Sequence, residues 1–176
     1  ARSVAFNTAG SILVAGAFGG DAAVTRFSAD GAVDPTFGSG GVATFDVQWH
    51  FLVPEHGADR MGRDGSLYEI AQWYPRVAVF DDIRGWNTDP YLGQGEFYLE
   101  YGDFDYAITA PAGYTIAGSG VLQNPAEVLT ATQRERLTRA ARSDTVVAVI
   151  TDAEARATPA AGTKTWRFRA QNVRDV

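Results

Sequence analysis

The sequence predicts an all-β protein: a short glycine-rich β-meander, then a part built of longer, aromatic-rich strands, with one short inserted helix. Three observations carry this. Short apolar runs alternate with Gly, Pro, Asn and Asp turn signals along most of the chain. Aromatic residues make up 12% of the chain and glycine occurs 19 times, a composition that favours strands and tight turns. Helix signals gather in a single stretch, 130–142.

In chain order, 3–6, 12–15, 24–27 and 42–45 are apolar runs separated by turn signals at 8–10, 19–21, 30–31 and 38–41. They predict four short strands over residues 1–46. The texture changes near Val47, which divides the chain into expected domains 1–46 and 47–176. Beyond it, 67–73, 77–80, 97–101, 106–110, 115–119, 145–151 and 165–169 read as strands by period-two patterning and β-branched or aromatic content. Phe97, Leu99 and Tyr101 fall on one face, Tyr98 and Glu100 on the other. Pro54, Pro90, Pro111 and Pro125 sit between runs, where a missing N–H is harmless. Thr130-Ala131-Thr132-Gln133 has capping-box spacing, with Thr130 as N-cap and Gln133 reaching back. Asn124-Pro125 marks a turn before it, and Leu129, Leu137, Ala140 and Ala141 offer a narrow apolar stripe.

At 176 residues the chain can bury a core, as one large domain or two small ones. A net charge of −6 and a pI near 4.8 argue against a nucleic-acid surface. The arginines of 134–142 then read as the solvated side of a helix. With no cysteine, disulfides, thiolate nucleophiles and Cys-based zinc sites are excluded. No apolar run is long enough to span a bilayer, and no charged-then-apolar leader is present. The chain starts at Ala1, not Met, and so reads as an internal fragment.

Candidate chemistry is sparse. Glu55, His56 and Asp59 are metal-ligating types, but sequence neighbours in an extended loop point different ways, and a solvated loop is the plainer reading. His50 alternates with Trp49 and Phe51 on the exposed side of a run. Asp103 and Asp105, with Glu96 and Glu100, set carboxylates among aromatic residues. That pattern fits a glycosidase pair or, with Trp73, Trp86, Tyr91 and Tyr98, a sugar-binding face. Asp30 and Asp34 lack the EF-hand pattern and are explained by turn chemistry. Gly16, Gly19 and Gly20 lack the strand–helix context of a phosphate loop.

Two stretches resemble known families. Gly10-Ser11-Ile12-Leu13-Val14-Ala15-Gly16, then Arg26, Asp30-Gly31, Asp34 and Thr36-Phe37-Gly38 with Gly40-Gly41, resemble one delta-sixty repeat, a bacterial propeller-like unit. Such repeats stack, and about three are needed for independent stability. From Trp49 on, three pieces resemble the N-terminal domain of the gluzincin zinc aminopeptidases, the family of aminopeptidase N and leukotriene hydrolase, in a bacterial branch. The first is Gln72-Trp73-Tyr74-Pro75-Arg76 leading to Val79-Phe80-Asp81-Asp82, without the Cys and final Pro usual there. The second is Trp86-Asn87-Thr88-Asp89-Pro90-Tyr91 with Gly95-Glu96-Phe97-Tyr98 and the Phe104-Asp105-Tyr106 strand. The third is Gly118-Ser119-Gly120, Leu122-Gln123-Asn124-Pro125 and Trp166-Arg167-Phe168-Arg169-Ala170.

The resemblance implies a twisted, saddle-like β-sandwich that covers the cleft of a downstream thermolysin-like catalytic domain. It also implies a substrate-binding role for Glu69, twelve residues before Asp81, where the family places a Glu or Gln against the free α-amine of a peptide. The family often has Gln two residues earlier, where Leu67 stands here. The HExxH zinc motif is absent, so catalytic and metal-binding residues are not expected in this chain. Zinc is expected in the missing catalytic domain, the peptide N-terminus is the expected ligand, and the parent is expected to be exported. The domain is expected to be cut at its C-terminal edge, and the chain inactive alone. The alternative is an extracellular propeller-like or carbohydrate-binding interaction module with no peptidase role.

Overall fold

The computed structural model describes residues 3–6, 11–18, 21–44, 47–56, 60–76, 78–81, 83–89, 98–157 and 161–176. The protein is mostly β, with a few short helices. It divides into two compact units, residues 1–102 with Asp175, and residues 103–174 with Val176.

The first unit begins with a four-stranded antiparallel meander in the order β1 (Ser3–Phe6), β2 (Ile12–Phe18), β3 (Asp21–Phe27), β4 (Val42–Thr44). The four expected strands are all there. Strands β2 and β3 run past their apolar cores to a tight reversal at Phe18↔Asp21. The β3–β4 connection explains why its residues are the types they are. Arg26 bonds the Asp34 carboxylate through Nε at 2.8 Å and Thr36 Oγ1 at 3.2 Å, and lies 4.9 Å over the Phe37 ring. The other Asp34 oxygen accepts from Thr36 N at 2.9 Å and Thr36 Oγ1 at 2.6 Å. Gly41 has φ +90 and a side chain there would run into Val33 Cγ1, so only glycine fits.

Two hairpins follow. One pairs β5 (Met61–Asp64) with β6 (Leu67–Ile70), the other β7 (Val79–Asp81) with β8 (Gly85–Asn87). The expected 67–73 strand stops at Ile70, because Gln72 adopts the left-handed φ of +54. In the β7–β8 turn, Asp81 Oδ1 accepts from the backbone N–H of Ile83 at 3.0 Å and of Arg84 at 2.6 Å. The segment after β6 carries an aromatic run. Trp49 Nε1 donates to Trp73 O at 2.9 Å, Trp73 meets Tyr74 edge-on at 5.3 Å, and the Tyr74 hydroxyl donates to Asp175 at 2.8 Å. Arg76 reaches the same carboxylate at 3.4 Å and the Glu100 carbonyl at 3.2 Å.

The second unit is a three-stranded sheet in the order β10 (Val121–Leu122), β11 (Thr163–Val173), β9 (Gly102–Pro111), with helices on one face. Strand β11 alternates: Trp166, Phe168 and Ala170 are buried, while Arg167, Arg169 and Gln171 are exposed. Strand β9 alternates in the same way, with Phe104, Tyr106 and Ile108 inward. The core is Val128, Leu129, Trp166 and Phe168, with Tyr106, Ile116, Leu122, Leu137 and Ile150 packed against it. Burying a side chain of this size contributes about 1.5–3 kcal/mol.

Asn124 joins sheet to helix. Its side-chain amide donates to Thr165 O at 2.9 Å and accepts from Arg167 N at 2.9 Å. It thereby continues the β10–β11 ladder where the backbone turns away into α1 (Pro125–Val128). Helix α2 (Ala131–Ala140) starts at the expected capping box, with Gln133 N bonding Thr130 Oγ1 and Thr130 N bonding Gln133 Oε1.

Several expectations are corrected. Among the described residues, three helices stand where one was expected: α1 and α3 (Asp152–Ala155) are single turns set by Asn124-Pro125 and by a second capping box, Thr151 with Glu154. Within 97–101, residues 98–101 are not strand; β9 begins at Gly102. The 115–119 segment is not a strand either, since its Ser119 carbonyl is bonded by the Tyr106 hydroxyl at 2.8 Å. The 145–151 segment has its backbone groups taken by side chains: Ser143 Oγ bonds Thr145 O, and Arg136 bonds Val149 O. Among the described residues, no helix is long and apolar enough to cross a membrane.

Candidate functional site

Glu69 lies third in β6, on a hairpin turned by Gly65-Ser66. Gly65 has φ +56 and Ser66 does not have positive φ, the pattern of a type II′ turn with glycine at its first central position. All four β6 side chains are exposed. By the register, Glu69 faces Gly62 and shares its side of the hairpin with Leu67 and Asp64. Gly62 offers no side chain, and the Pro54 carbonyl oxygen lies 3.8 Å from where its Cβ would stand. Arg63 lies on the opposite side, committed to the Glu55 carboxylate and the Tyr68 hydroxyl. Among the described residues, the Glu69 side chain has no hydrogen bond or ion pair, while its backbone pairs with Gly62. The result is a carboxylate without a counter-ion, with Leu67, 59% exposed, on the same side of the hairpin, while Ile70 lies on the opposite side. At the hairpin's base, Arg60 and Gln72 have left-handed φ of 61 and 54, and Ala71 N bonds Arg60 O at 3.1 Å.

Such a group is suited to charge-assisted bonding of a cation, with Leu67 beside it. Sequence reasoning missed Gly62 and strand β5 that carries it. The one local signal is the turn dipeptide Asp64-Gly65, since the β5 side of it carries no apolar run.

The other candidates are placed as follows. Glu55 is paired with Arg63, His50 and His56 are exposed, and Asp59 lies outside the described residues. Among the described residues, no three His, Asp or Glu side chains converge as metal ligands. Asp103 and Asp105 share the outer face of β9. Asp103 accepts from Asn172 N at 2.9 Å, and Asp105 lies 4.0 Å from Arg169. Thr109 meets Thr165 at 2.8 Å on the same face, so this surface is a set of cross-strand polar pairs. Trp73 is packed between Trp49 and Tyr74, not laid open as a platform. Glu96 and Tyr91 lie outside the described residues, and the backbone of Trp86 sits in β8. Asp30 and Asp34 are turn residues. Bonds from Ser28 and the Ala32 N–H hold Asp30 below the usual carboxylate range, and bonds from Thr36, aided by Arg26, do the same for Asp34.

No family model, curated protein or solved structure matches the chain.

Proposed function

We propose that residues 47–176 form the non-catalytic N-terminal β domain, a twisted saddle-like sandwich, of an exported zinc aminopeptidase of the gluzincin type. In this reading Glu69 binds the free α-ammonium of the peptide substrate. The order of rare residues from Trp73 to Ala170 supports the family. The observation that carries the role is the exposed, unneutralised carboxylate of Glu69 over Gly62. A carboxylate held this way favours an ammonium over an acylated nitrogen, which carries no charge, and so would enforce cleavage from the N-terminus.

The test is a titration of the chain with a dipeptide amide and its N-acetylated form, followed by amide NMR shifts. The free amine should move resonances of β5 and β6, and the acetylated form should not. Glu69→Gln should weaken binding about tenfold or more, since a hydrogen bond to a charged group is worth about 1.5–3 kcal/mol. Equal shifts from both peptides would remove the reading.

The four-stranded meander β1–β4 supports a second reading for residues 1–46, a propeller-like repeat serving an interaction role. Its mark would be further repeats of the Arg26–Gly41 pattern in the parent chain, with no zinc domain.

A further inference from the structure

We propose that the Asp64-Gly65 bond in the β5–β6 turn is a site of spontaneous aspartyl isomerisation, with water as sole co-reactant. The chain has one other Asp-Gly pair, Asp30-Gly31, whose amide N–H and carboxylate are both hydrogen-bonded.

The chemistry is self-contained. The Gly65 backbone nitrogen attacks Cγ of Asp64. From the protonated carboxyl, a C–N bond forms, the Cγ–OH bond breaks, and the amide hydrogen leaves with that hydroxyl as water. The resulting five-membered succinimide takes up one water. Opening at one carbonyl restores aspartate, and opening at the other routes the backbone through Cβ. No oxidation state changes. Glycine suits the step because no Cβ blocks the approach. The step also needs an amide N–H not held by another acceptor and a carboxyl group free to turn.

Asp30-Gly31 fails both needs. Gly31 N donates to Ser28 O at 2.9 Å, and the Asp30 carboxylate accepts from Ser28 Oγ and from Ala32 N at 3.3 Å. Asp64-Gly65 meets both. Asp64 and Gly65 are exposed, and among the described residues neither the Asp64 carboxylate nor the Gly65 N–H has a partner. Space around the glycine does not separate the two pairs, since nothing lies within 4 Å of where a Cβ would stand at Gly65 or at Gly31. The product adds a methylene between the paired residues Asp64 and Leu67, so a two-residue turn no longer closes and the register of Gly62 and Glu69 is lost. This inference is independent of the role proposed for Glu69.

The experiment ages the whole chain in heavy-oxygen water at neutral pH and body temperature, then maps isoaspartate by peptide mass spectrometry. Isoaspartate and heavy oxygen should accumulate at Asp64 severalfold faster than at Asp30. In denaturant the two sites should converge. Asp64→Glu should abolish the signal there and leave Asp30 unchanged, while Ser28→Ala should raise the rate at Asp30. Equal rates at both sites in the folded chain, or faster reaction at Asp30, would overturn the proposal.

Discussion

Trp166 is 3% exposed, and its indole Nε1 is buried without a hydrogen-bond partner among the described residues. Asn124, 7% exposed, is its opposite: both ends of its amide are matched to the backbone that flanks Trp166. A buried donor left unmatched costs about 1–3 kcal/mol, whereas the indole's apolar area is the larger favourable term. Trp166→Phe removes the donor and keeps most of the ring. Its expected stability therefore lies within about 1 kcal/mol of the parent, while Trp166→Ala should lose about 3–5 kcal/mol. Denaturant titration of both variants checks this. A Trp166→Phe loss as large as that of the alanine variant would mean the indole N–H has a partner. Gly120, with φ +88 against the Arg169 backbone, marks another position where the residue type follows from geometry.

At the scale of elements, helix α2 depends on its ends, because none of its residues is fully buried. Thr130→Ala removes the N-cap acceptor for Gln133 and should cost about 1 kcal/mol, read as a loss of helical far-ultraviolet signal at intermediate denaturant. No change would show that α2 is held by packing of Leu137 alone. This cap was legible because its signal is local, four consecutive residues whose side chains bond their own backbone. The strands of residues 1–46 were legible for the same reason, each apolar run ending at its own turn. Pairing was less legible. The 145–151 segment has the composition of a strand, but a ladder needs a neighbour, and Arg136 and Ser143 occupy its backbone groups instead. Likewise β5 holds Met61, Gly62, Arg63 and Asp64, which shows no apolar pattern, and it is a strand because β6 pairs with it. Glu69 was placed by resemblance. Its setting over Gly62 depends on register, which no single segment encodes.

Across the whole molecule, acid sensitivity follows from carboxylates used as hydrogen-bond acceptors. Asp30 and Asp34 in the first unit lie below the ordinary 3.8 through bonds from Ser28 and Thr36 respectively. In the second, Glu127 lies below 4.5 through Asn124 and then Arg167, and Glu154 through the Thr151 backbone and hydroxyl, aided by Arg136. Each folded group keeps its charge to a lower pH than the same group in the unfolded chain. The unfolded chain therefore binds more protons as pH falls through this range, and stability falls with it. The contribution is complete above 3.8 for the aspartates and 4.5 for the glutamates, and is lost as pH drops through the folded values. Asp34→Asn keeps an acceptor for Thr36 but cannot titrate, so it should flatten the acid limb in the first unit. Glu154→Gln should do the same in the second. Acid titration followed at the Thr36 and Thr151 amides separates the two, and an unchanged acid limb in both variants would place the acid sensitivity elsewhere.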